Sequence, residues 1–506
     1  MKFAKLGLAA AALCVAAVTT APAQAGSHGN KVMTVAIETD VRGFEALKAN
    51  VLGIAASTVY VTLAERLLDR DNDGNTIPQL ATSWEVGPDG KSVTFQLRKG
   101  VKFHNGDDFT SRDVVHHWTR LMNPENRYFG RLFYGPIKGA VADGDHTVTM
   151  QLNHAWVPAV DMHTRYDFGP FVPSSRNVDE DKQMREPIGT GPFVLTEWRS
   201  GDRIIVDKNP NYWAPEKIKL DRIVFRVIPD QATRYAALLS GEVDLIWTDR
   251  GDTIEKAKKN PDLDVYSRIG SGAGIAFMNA AKPPFDNVNA RKAFLHTWNQ
   301  AAYVKVSLKD TVPVIEHPMG PNVKCDVGYR QHDIAKAKEF AAAYEAETGK
   351  KIEFEMIHTS TQRGREFGEI SQQLGRRAGI TVNLQPVDQL QLRKKVFTND
   401  YNVSGWRIGD TEDVGPQLFA LLHSKSPYNL GKYVNPKMDE LVVAMRVAPT
   451  VEERIQRTCA VVKQMNDDGT IILTGGRQHY AMAKKSVKGL APLYQGTPDV
   501  RYATID

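Results

Sequence analysis

The sequence predicts an α/β protein with more than one packed unit. Three observations carry that expectation. Up to about residue 188, short alternating segments are separated by turn pairs, the pattern of hairpins. From about Arg291 onward, helix-patterned and strand-patterned stretches alternate, the pattern of parallel βαβ units. The 506 residues are 42% hydrophobic, 24% charged and 8% aromatic, so the chain has enough apolar material for full cores. At roughly 100–200 residues per domain, the length points to about three units. The composition excludes a disordered, collagen-like or disulfide-scaffold protein. A net charge of +5, from 64 basic against 59 acidic residues, describes a mixed surface and argues against a nucleic-acid partner.

The N-terminus has the pattern of an export signal. Lys2 and Lys5 precede a nearly unbroken apolar run from Leu6 to Val18. Ala23-Gln24-Ala25 then supplies the small residues of a cleavage site, placing the cut before Gly26. The run is short for a bilayer span of ~20 residues, and no later run is long enough. A periplasmic protein with no membrane insertion is expected. Cys14 lies inside the run, which disfavours a lipid anchor.

The elements follow in order. Residues 32–37 alternate as a strand, and 57–68 form a helix. Asp73-Gly74 marks a turn. Strands 83–86 and 92–97 flank Pro88-Asp89-Gly90, a hairpin turn. Thr110 with Asp113 forms a capping box, so 111–122 is a helix. Residues 143–152 alternate after Asp143-Gly144. Strands 193–198 and 203–208 flank Ser200-Gly201, and 223–228 follows as a third strand. Gly241 ends a helix over 231–240. Gly270-Ser271-Gly272-Ala273-Gly274 is expected to be a flexible loop before an apolar strand. Asp333 caps a helix through Tyr344, with Gly349 beyond its end. Strand 352–356, helix 366–378 and strand 380–384 make a βαβ unit. Asn435-Pro436 and Thr450/Glu453 open two late helices.

Catalytic signals are missing. There is no HExxH, GxSxG or phosphate-binding Lys loop, and Ile275 breaks the GxGxxG pattern. His116 and His117 are adjacent on a helix and face about 100° apart, so they do not converge on a metal. No catalytic residue, metal or cofactor is expected, and the chain is not expected to be an enzyme.

Several segments together resemble a known family. Leu80-Ala81-Thr82-Ser83-Trp84-Glu85, Pro88-Asp89-Gly90-Lys91 and the run from Val93 to Val114 form the longest match. Gly189-Thr190-Gly191-Pro192-Phe193, Lys208-Asn209-Pro210-Asn211-Tyr212-Trp213, Leu238 to Asp244, Phe277-Met278-Asn279, Tyr401 to Trp406 and Tyr433 to Asp439 follow in the family's order. They resemble the peptide-type solute-binding proteins of ABC importers, which include dipeptide-, oligopeptide- and nickel-binding members. The resemblance implies a type II periplasmic-binding-protein fold: two lobes, a hinge, and an extra α/β subdomain. It places lobe I at 26–63, 189–279 and 478–506, the subdomain at 64–188, and lobe II at 280–477. It implies a monomer that closes on a small-molecule or short-peptide ligand and delivers it to an ABC permease with its ATPase subunits. A non-peptide solute is the alternative: an anionic or opine-like compound, a metal chelate, haem or an oligosaccharide. A secreted enzyme is a remote third reading.

The resemblance also suggests ligand residues. Ser404-Gly405-Trp406 is followed by Asp410, the candidate for a ligand ammonium, with Glu412 and Asp413 behind it. Arg407, one residue past Trp406, would repel an ammonium and attract an anion. Arg365, with Arg363 beside it, falls where a carboxylate-binding Arg precedes the second-lobe helix. Trp406 is expected to wall the pocket. Cys325 and Cys459 remain after signal removal, and a bridge between them is one possibility.

Overall fold

The computed structural model describes residues 31–49, 53–329, 332–411 and 413–506. The expected signal and its cleavage site lie outside these residues. Among the described residues, no helix is long and apolar enough to cross a membrane.

The first strand is Val32–Ile37 (β1). Leu68–Arg70 (β2) and Thr76–Pro78 (β3) form a small hairpin around the Asp73-Gly74 turn. Ala81–Val86 (β4), Ser92–Leu97 (β5), Ile137–Ala142 (β6) and Thr147–Leu152 (β7) make a four-stranded antiparallel sheet, ordered β4-β5-β7-β6. The β4–β5 turn needs Gly90, whose φ is +67°. Helix Ser111–Met122 covers this sheet and carries the expected capping box between Thr110 and Asp113. Its inner face places Trp118 against Tyr134 and His163.

The remaining strands are Phe193–Arg199 (β8), Arg203–Lys208 (β9), Arg222–Val227 (β10), Leu245–Thr248 (β11), Leu263–Met278 (β12), Glu353–Thr359 (β13), Thr381–Val387 (β14), Val403–Ile408 (β15) and Ile471–Lys484 (β16). With β1 they form one ten-stranded sheet, ordered β14-β13-β15-β12-β16-β11-β1-β10-β9-β8. β1 runs parallel to β10 and β11, and β13 runs parallel to β14 across helix Gln362–Arg377. This is the two-lobed α/β fold expected.

The two longest strands join the lobes. β12 and β16 run antiparallel from Leu263↔Lys484 to Gly270↔Arg477, shift register, and resume from Gly274↔Gly475 to Phe277↔Ile471. One end of the pair is extended by β11, the other by β15. The apolar cores divide accordingly. One gathers Val35, Phe225, Phe95 and Trp118. Another gathers Phe277, Ile408, Leu418 and Val461.

Some expectations need correction. The helix expected over 57–68 spans Ile54–Leu63, because Ala64 turns extended and the chain enters β2. Gly270 to Gly274 is not a flexible loop but the bulged middle of β12. The helix expected from 366 begins at Gln362, where the Thr361 side chain accepts from the Gly364 N–H.

Long-range ties close the fold. The buried Arg501 guanidinium donates to Asp499 (2.6 Å) and pairs with Asp69 of β2 (2.8 Å), fixing the C-terminal segment against the hairpin. Cys325 and Cys459 form a disulfide with a Cα–Cα distance of 6.1 Å across 134 residues. The bridge pins an irregular segment to helix Val451–Asp468. Closing so long a loop restricts the unfolded chain by about 2–5 kcal/mol. Reduction, or the Cys325→Ser/Cys459→Ser double change, is therefore expected to lower the unfolding temperature. Calorimetry with and without reductant checks this; identical transitions would refute a stabilising role.

Candidate functional site

The seam between the two halves of the sheet gathers ionisable side chains where the cores on either side are apolar. At the C-terminal end of β11 sits Asp249, and just past the C-terminal end of β13 sits Arg363, at the start of helix Gln362–Arg377. Arg363 Nη1 donates to Asp249 Oδ2 at 2.8 Å, joining segments 114 residues apart. The carboxyl ends of strands are where open α/β sheets leave room for ligands. Both side chains are nearly half exposed, 41% and 46%. Glu38, just past β1, lies nearby; burial pushes its carboxyl pKa up, and the Asp249 charge adds to this.

Asp410 is buried beside the register shift of β12. Its Oδ1 accepts from the Ser271 N–H at 2.9 Å, and its Oδ2 accepts from Arg268 Nη1 at 3.1 Å. His479 Nε2 lies 3.3 Å from the same oxygen. Gly270 is required there, since a Cβ would fall 2.3 Å from the Asp410 carboxyl carbon. Burial works to raise the Asp410 pKa, but His479, Arg268 and Arg477 outweigh it and hold it below the usual range. Burial, with the charges of Arg477 and Arg268, lowers the pKa of His479 despite Asp410. The expected ammonium receiver thus already has both carboxylate oxygens engaged by the protein.

The other expected residues divide. Arg407, on β15, is exposed and pairs in register with Gly274. Trp406 points the other way. Its indole donates to the Tyr428 hydroxyl at 2.9 Å and its ring packs near Phe277 and Phe397. Arg365 is not ahead of the helix but inside its first turn, exposed, donating to the Ser360 carbonyl. Of the two neighbouring arginines, Arg363 reaches the seam. Asp413 pairs with Arg454 and accepts from the Gly415 N–H, which anchors its loop. Glu412 lies outside the described residues.

Sequence reasoning missed Arg477, His479, Arg268 and Asp249. Arg477 sits on β16, in register with Gly270. Its Nε is buried with no hydrogen-bond partner among the described residues. Burial, then the charges of Arg407 and Arg363, lower its pKa to about 10. Arg477 and His479, two apart in a strand, lie on one face of β16, but Gly475-Gly476 and Gln478 break the alternation that would have signalled it.

Residues 75–429 match the model of the bacterial extracellular solute-binding proteins, family 5 Middle. The chain is 26% identical to the dipeptide-binding protein of Escherichia coli K12, over 96% of this chain and 95% of that protein. It is also 26% identical to the heme-binding protein A of Haemophilus influenzae, over 87% of each. In three dimensions it is similar to the dipeptide binding protein of Pseudoalteromonas sp. SM9913, solved with Met-Leu. That likeness has a TM-score of 0.82 at 21% identity, over 94% of this chain and 100% of that one.

Proposed function

Because the chain belongs to family 5 of the bacterial extracellular solute-binding proteins, we propose that it is the extracytoplasmic capture subunit of an ABC importer for a peptide or peptide-like solute. The observation that carries this reading is the seam. Two strands run through both lobes, their pairing slips at Gly270–Gly274, and charged groups from both sides meet there. The slip is the pivot. With the pivot there, the crossing in β12 falls at about residue 272 and not at the expected 279/280: lobe I takes the strands and helix before residue 64, 189 to about 271, and 478–506, with 64–188 as its subdomain, and lobe II runs from about 272 to 477.

The energetics suit a capture device. An ion pair as exposed as Arg363–Asp249 is worth about 0–1 kcal/mol, so it holds the lobes together weakly. Contacts that the solute makes only with the closed form must then supply the closing free energy. The closed form, exported and monomeric, presents its cargo to a permease and its ATPase subunits. No bond is made or broken.

The test is to denature the protein purified from its native compartment and to identify the released solute by mass spectrometry. Calorimetry then measures rebinding, and small-angle scattering measures compaction. The expected result is a stoichiometric small solute that rebinds unchanged and shrinks the molecule. Conversion of the solute to a product, or binding without compaction, would overturn the reading.

A further inference from the structure

We propose that Arg477, together with Arg407, receives an anionic group of the captured solute and so selects solutes carrying more carboxylate than ammonium. This rests on the seam being the capture site.

Among the described residues, the charges at the seam do not balance. Asp249 is taken by Arg363. Asp410 is taken by Arg268, Ser271 and His479. Glu38 is raised toward its neutral form by burial, is hydrogen-bonded by the Ala55 N–H, and shares the field of Arg234 and Asp249. Arg407 and Arg477 have no carboxylate partner among the described residues, and each flanks β12 next to its register shift.

Arg477 is the less comfortable of the two. A guanidinium keeps its charge even when buried, so it cannot escape by neutralising as a lysine would. Its Nε finds no acceptor among the described residues, and the like charges of Arg407 and Arg363 repel it. An anion between Arg407 and Arg477 removes both problems at once. A carboxylate fits best, because its two oxygens match the guanidinium fork. An ammonium has no such place among the described residues, since the buried Asp410 carboxylate already accepts from Arg268 and from the Ser271 N–H.

Two probes that differ by one charge test this by calorimetry on the whole mature protein: alanyl-glutamate and its neutral twin alanyl-glutamine. The wild type is expected to bind alanyl-glutamate at least tenfold more tightly. Arg477→Gln and Arg407→Gln should each weaken alanyl-glutamate at least tenfold and alanyl-glutamine less than threefold. Arg477→Lys should retain part of the preference. Arg407 is exposed, so its variant probes the site without disturbing a core, and thermal unfolding checks the Arg477 variants. Equal affinity for the two probes overturns this inference and leaves the peptide-like reading standing. Binding of neither probe overturns both.

Discussion

Acidification from pH 7 to pH 4 is expected to unfold this protein steeply, and His163→Leu is expected to move the midpoint to lower pH. Three histidines are buried with pKa values far below the ordinary 6.5: His104 and His117 at about 4 and His163 at about 3. Burial is the leading cause in each. His104 donates to the Gly191 carbonyl and His117 to the Gly169 carbonyl, which offsets only part of it. Among the described residues His163 has no partner at either ring nitrogen, and it lies between Phe95 and Trp118.

The sign follows from proton counting. Below about pH 6.5 the unfolded chain takes up these protons and the folded chain does not, so stability is complete above that pH and is lost toward the folded values. The gap is worth roughly 3 kcal/mol each for His104 and His117 and roughly 5 kcal/mol for His163, on the order of a whole domain's stability when all three act. Glu38 and Glu65, whose carboxyls burial holds high, titrate in the opposite sense and soften the slope. Leucine at 163 removes one proton from the count and one unsatisfied polar group from the core. Circular dichroism against pH reads the midpoint. Stability that stays flat from pH 7 to 4.5, or a variant with an unchanged midpoint, would refute this account.

What the sequence shows of the fold is what local chemistry determines. The Thr110/Asp113 box, the Gly241 stop and the Asn435-Pro436 start each act within a few residues, and the helices begin or end there. β12 and β16 escape because their pairing is remote in sequence. Glycines at 270, 272, 274, 475 and 476 interrupt the apolar period that would reveal them. The site inherits both outcomes. Asp410 and Arg407 are legible from their spacing to Trp406. Arg477 is not, because it stands on a strand whose existence is not legible. The Arg363/Arg365 choice turned on the helix start. Thr361 caps the helix four residues earlier than the apolar pattern implies, so Arg363 faces Asp249 and Arg365 turns to its own backbone.

Asp410→Ala is expected to destabilise the solute-free protein by about 3–5 kcal/mol, the cost of removing one partner of a largely buried ion pair and taking this acceptor from Arg268 and the Ser271 N–H. Asp410 is 7% exposed and sits among Arg268, His479 and Arg477. Removing it leaves Arg268 and Arg477, with Arg407 and Arg363 close by, facing Asp249 and Glu38 among the described residues. Asp410→Asn should cost less, because the amide oxygen still accepts from the Ser271 N–H while the charge is gone. The wild-type contribution is present above the ordinary carboxylate range, about pH 3.9, and is lost as pH falls through the lowered folded value. A carboxylate reserved for a solute's ammonium behaves differently. Its removal weakens binding and leaves the solute-free protein as stable as before, or more stable, since an idle buried charge has been taken away. Thermal unfolding without solute separates the two. A drop that is larger for Ala than for Asn makes Asp410 the counter-charge that assembles the pivot, and an unchanged transition with lost affinity would return it to the role its spacing from Trp406 first suggests.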